Sequence, residues 1–96
     1  MARSQPSAAG PLPGEELVER GLRDLAAGID SREAFLVSIG ATRLRALGIE
    51  VPSPLRDPEE RLYLMLAVED PEAAHSVYNA LVRRLVSFER AAECAS

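Results

Sequence analysis

The tetrapeptide Glu72-Ala73-Ala74-His75 carries the sharpest chemical signal in this sequence. Three residues apart on a helix, a carboxylate and an imidazole share one face. Helical bundles hold metal ions with such pairs when facing helices add further carboxylates. Glu19, Glu60 and Glu69 are the candidates to complete such a centre, and a second copy of the chain at a dimer interface would double the donors. His75 is the single histidine, so one chain cannot supply two imidazoles, and any Ser-His-Asp device would have to use it. Cys94, beside Glu93 near the end of the last helix, reads as an incidental thiol. The glycines stand singly, which leaves no loop to cradle a phosphate. No catalytic constellation emerges and no cofactor is implied. The expectation is a protein that is not an enzyme, with Glu72 and His75 as a metal-binding alternative.

A second cluster is cationic. The segment AFLVSIGATRLRALGI, within residues 31–49, sets an apolar helix before Gly40 and a second helix opening on Thr42-Arg43 after it. This is the outline of a helix-turn-helix, in which Thr42, Arg43 and Arg45 would meet phosphates and guanine edges in the major groove. With Gly40 as the turn, however, a later core position falls on Ala46, which is small for that place. The net charge of -4 also runs against the basic footprint of a nucleic-acid binder, although all 11 basic residues are Arg. A DNA-binding regulator is therefore the alternative rather than the leading reading.

These residues must be positioned by helices, because helix signals dominate after residue 14. Val18, Leu22, Leu25 and Ile29 form one apolar stripe, closed by Gly28. Asp30 and Glu33 have the spacing of a capping box that opens a second helix. Gly40 kinks or breaks that helix, and Gly48 ends it with Ile49 placed to touch Leu44. The tripeptide Asp-Pro-Glu occurs at 57–59 and again at 70–72. Proline in the first turn loses no hydrogen bond, so both copies read as helix starts rather than as paired acids for catalysis.

Between those starts, residues 62–68 are seven consecutive apolar side chains. A helix apolar on all sides demands a central position or a partner subunit. The last helix, expected over 71–92, carries Ala74, Tyr78, Leu81, Leu85, Phe88 and Ala92 at alternating spacings of four and three, widened by Val77, Val82 and Val86.

The chain of 96 residues suits one domain. Residues 1–14, rich in Pro, Gly, Ser and Ala, read as a disordered tail ahead of a helical domain over 15–96. The fold class expected is all-α: a small four-helix bundle-like domain, or five helices if Gly40 acts as a break, completed by dimerisation. A core of roughly 80 residues is marginal alone. The leading functional reading is a small non-enzymatic protein that works through protein–protein contacts as a homodimer, with Tyr78, Leu81, Leu85 and Phe88 as interface anchors. A lone cysteine and the lack of a membrane-spanning run or leader pattern make the cytoplasm the expected compartment.

Overall fold

In the computed structural model, which describes residues 11–95, the chain forms helices and no strand among those residues. The helices are α1 (Glu15–Ala26), α2 (Arg32–Ile39), α3 (Ala41–Ala46), α4 (Pro58–Glu69) and α5 (Ala74–Ala95). Gly40 breaks the second helix, so the five-helix version of the expected architecture is the one observed. Residues 1–10 of the expected tail lie outside the described residues. The folded part starts earlier than expected, because residues 12–14 are used. The Leu12 amide donates to Glu15 Oε1 at 2.9 Å. Gly14 turns the chain at φ 75°, where a Cβ would fall 2.6 Å from the Arg84 carbonyl oxygen on α5.

Helix ends follow local chemistry, with informative departures. α1 and α3 both close on the same Schellman geometry. Ile29 N–H donates to the Asp24 carbonyl and Gly28 N–H to Leu25; Ile49 N–H donates to the Leu44 carbonyl and Gly48 N–H to Arg45. The glycines take φ of 75° and 90°, a region costly for any other residue. At the start of α2, however, Ser31 rather than Asp30 is the cap. Its hydroxyl accepts from Ala34 N–H at 3.0 Å and donates to Asp24 Oδ2, while Asp30 faces Arg61 at 3.2 Å. The shift by one residue follows from where the chain leaves the Schellman turn.

Asp57 likewise occupies the cap position of α4, but its left-handed backbone (φ 47°, ψ 51°) leaves its side chain without a capping bond. Asp70 does bond forward, to the amides of Glu72 and Ala73. Those residues form a turn, and α5 starts only at Ala74, three residues later than the proline suggested.

The centre of the molecule is α2. Ala34, Phe35, Leu36, Val37 and Ser38 are five successive buried residues, so this short helix needs neighbours on every side. It has them in α1, α3, α4 and α5. The sequence left the apolar run of α4 either a central position or a partner subunit, and the central position belongs to α2. Of that run, Leu62 and Leu66 enter the core, whereas Tyr63, Leu64 and Val68 face outward. Inside the core, Ser38 is fully satisfied: its hydroxyl donates to the Ala34 carbonyl at 2.8 Å and accepts from Leu55 N–H at 2.9 Å. That pair of bonds pins the connector after α3 to the central helix.

The approach of α1 to α2 is set by Gly21. A Cβ there would lie 2.3 Å from the Glu33 carbonyl oxygen and 2.7 Å from Val37 Cγ1. Backbone cannot rotate away as a side chain would. Alanine at this position gains about 1 kcal/mol of helix propensity, but forcing helices apart costs roughly 1–3 kcal/mol and loosens the core. Gly21→Ala is expected to lower the urea midpoint without changing the slope of unfolding; an unchanged or raised midpoint would show that α1 is not packed this tightly.

Candidate functional site

Two surface regions hold chemistry that the core does not use. The first is a groove of about 620 Å³ between the α2–α3 corner and α5. Its aliphatic walls include Ile39, Ala46, Val82 and Val86, with Thr42, Arg43 and Arg90 among its polar lining. The corner comes close to α5 because Gly40 has no side chain. A Cβ there would sit 2.8 Å from Glu89 Oε2 and 3.0 Å from Leu85 Cδ2.

Glu89 is the unusual group. It is 6% exposed, yet its carboxylate accepts no hydrogen bond from the described residues. Burial pushes its carboxyl above the usual carboxylate range, and the guanidinium of Arg43 pulls the other way. Val82, Val86 and Glu89 fall on one line along α5, so the position was legible as a charge ending an apolar line. Only the helix packed over it shows that the charge is buried.

The second region is the outer face of α4. Leu64 and Val68, one turn apart, are 57% and 86% exposed. Beside them Tyr63 stands edge-on to Tyr78, with ring centroids 5.8 Å apart, and to His75 at 6.5 Å. Desolvation raises the Tyr78 hydroxyl above its ordinary pKa, and the Glu59 carboxylate adds to the effect. This apolar surface thus runs from α4 onto the start of α5. An unbroken apolar run has no periodicity to say which side chains turn outward, so the sequence could set this helix against a partner without singling out Tyr63, Leu64 and Val68.

The expected site residues are distributed differently from the sequence reading. Leu81, Leu85 and Phe88 are buried in the chain's own core, leaving only the half-buried Tyr78 of the four anchors at the surface. The central line of α5 packs within the chain against α1, α2 and α4. Thr42 and Arg43 are exposed and border the groove, while Arg45 Nη2 donates to the Val51 carbonyl at 2.7 Å and braces the connector. The stretch after Gly40 that was to read DNA is a helix of six residues.

Glu72 lies in the turn before α5 rather than on the same helix as His75, and His75 Nε2 sits 3.2 Å from Asn79 Nδ2. The expected carboxylates do not gather there: no group of three or more potential metal ligands occurs among the described residues. Cys94 is exposed and outside both regions. No helix among the described residues is long and apolar enough to cross a membrane. Compared with family models, with curated proteins and with solved structures, the chain matches none.

The burial of Glu89 has a pH signature with a definite sign. An acid whose pKa is raised by folding holds its proton more tightly in the folded state. Its contribution is fully present below the unfolded-state value and is lost as pH rises through the folded-state value. Removing the charge with Glu89→Gln is therefore expected to raise the melting temperature at neutral pH. The advantage should shrink as the pH is lowered through the carboxylate range. A melting temperature lowered at neutral pH would mean that the carboxylate is a stabilising partner in the free protein.

Proposed function

We propose that this is a non-enzymatic interaction protein that works as a homodimer, joined through the outer face of α4. The observation that carries the reading is the exposure of Leu64 and Val68, 57% and 86%, on the longest unbroken apolar run of the chain. Contiguous large apolar side chains at a surface are the usual mark of an interface. A second copy is the occupant that the chemistry favours. About a two-fold axis the same Leu64–Val68 ridge meets itself, which satisfies an apolar surface with no other partner required.

The flanking charges support this. Glu69 pairs with Arg32 and Arg61 with Asp30 within the chain, so the rim presents matched ions rather than repelling ones. A stable dimer takes about 800 Å² from each partner, more than Leu64 and Val68 can offer. The interface proposed therefore includes Tyr63 and the flank of α5 at His75 and Tyr78. Edge-to-face aromatic groups of this kind give large contact area with little rotamer entropy to lose.

Light scattering of the whole chain across a wide concentration range tests this. The wild type is expected to keep twice the chain mass on dilution. A Leu64→Glu, Val68→Glu double variant is expected to run as a monomer with an unchanged helical circular dichroism spectrum. A wild type that is monomeric throughout, or a folded double variant that stays dimeric, would overturn the proposal.

A further inference from the structure

The groove between the α2–α3 corner and α5 has the makings of a small-ligand site, and it is separate from the α4 face. We propose that it binds a small zwitterion with an aliphatic body, an α-amino acid of the leucine type or a short peptide of such residues. The ammonium group would meet Glu89, and the carboxylate would meet Arg43 and Arg90.

Glu89 sets the first requirement. Glu89 is 6% exposed as a residue, its carboxylate has no hydrogen-bond donor among the described residues, and the charge of Arg43 only partly offsets a burial that is costly. A donor brought by a ligand removes that cost, and an ammonium group does so best because the bond is charge-assisted. The rim sets the second requirement. Arg43 and Arg90 are exposed in the groove lining, and neither is held in an ion pair by the described residues. A simple cation would have to pass both guanidinium groups, and a simple anion would meet the Glu89 charge. A molecule with both ends satisfies both.

The walls set the third requirement. Ile39, Val82 and Val86 are branched aliphatic side chains, and no aromatic residue lines the groove. They match an aliphatic body rather than a planar base or sugar. The volume of about 620 Å³ falls within the range of small-molecule sites, about 300–1,000 Å³. It has room for more than one amino acid, hence the inclusion of short peptides. Gly40 completes the arrangement, since a Cβ there would come within 2.8 Å of Glu89 Oε2 and push the carboxylate from its place.

The test is titration of the full chain followed by amide chemical shifts, with four probes: L-leucine, leucyl-leucine, isopentylamine, which lacks the carboxylate, and 4-methylpentanoate, which lacks the ammonium. At about 10 mM even a millimolar ligand is visible. One or both zwitterions are expected to shift the amides of Gly40, Thr42 and Val86. The probes lacking one end should bind about tenfold more weakly or worse. Glu89→Gln and Arg43→Gln, each checked as folded by its own spectrum, should likewise weaken binding of the zwitterion about tenfold. Several results would overturn the proposal: neither zwitterion shifting these amides, the amine binding as well as leucine, or binding unchanged in folded Glu89→Gln. Because the groove lies off the α4 face, these results are independent of whether the chain dimerises.

Discussion

Everything in this fold depends on enclosing α2. Five consecutive buried residues in an eight-residue helix leave almost no side exposed to water. Such a helix is unstable alone and acquires its stability from what surrounds it. The walls are α1 on one side, α4 on another, α5 across the back and α3 at the end. Two close approaches make the enclosure tight, and both use a residue without a side chain: Gly21 on the α1 wall and Gly40 at the corner facing α5. Exposed ion pairs across the walls, such as Arg32–Glu69 and Glu16–Arg84, add little beside this burial.

The enclosure also explains the distribution of surface chemistry. With α2 at the centre, α4 becomes a wall, and a wall has an outside. Its apolar run is longer than one inward face can use, so Tyr63, Leu64 and Val68 are left in water. On the opposite flank, α5 is longer than α2 and extends past it. There the α2–α3 corner covers the line of Val82, Val86 and Glu89 and buries a carboxylate that the core does not satisfy. One surplus is apolar and the other is ionic, and both follow from packing long helices around a short one.

Much of this was legible in the sequence. The all-helical class, the start of α4 at Pro58 and the closing turns at Gly28 and Gly48 rest on local chemistry, which is written in neighbouring residues. The choice of central helix is not local. The stretch 62–68 is apolar on all sides and 34–39 is so except for Ser38, and periodicity cannot rank them. What decides is that α2 has Gly21 opposite it and Ser38 within it to receive a connector, while α4 begins with Glu59, Glu60 and Arg61. For the same reason periodicity points to Leu81, Leu85 and Phe88 as interface anchors, whereas the fold buries them in the chain's own core. Of the candidate site residues, Thr42 and Arg43 stand out in the sequence by their position after Gly40 and by the Arg43 charge. The carboxylate they accompany, 46 residues after Arg43, is brought there only by tertiary packing.

Amide hydrogen exchange on the native chain addresses the enclosure of α2 most directly, because it ranks helices by the free energy needed to open them. If α2 is the enclosed element, amides in 35–39 exchange only through global unfolding, more slowly than any in α4. If α4 amides are instead the slowest and those of 35–39 exchange through local opening, the central helix has been misplaced, and with it both surface regions described above.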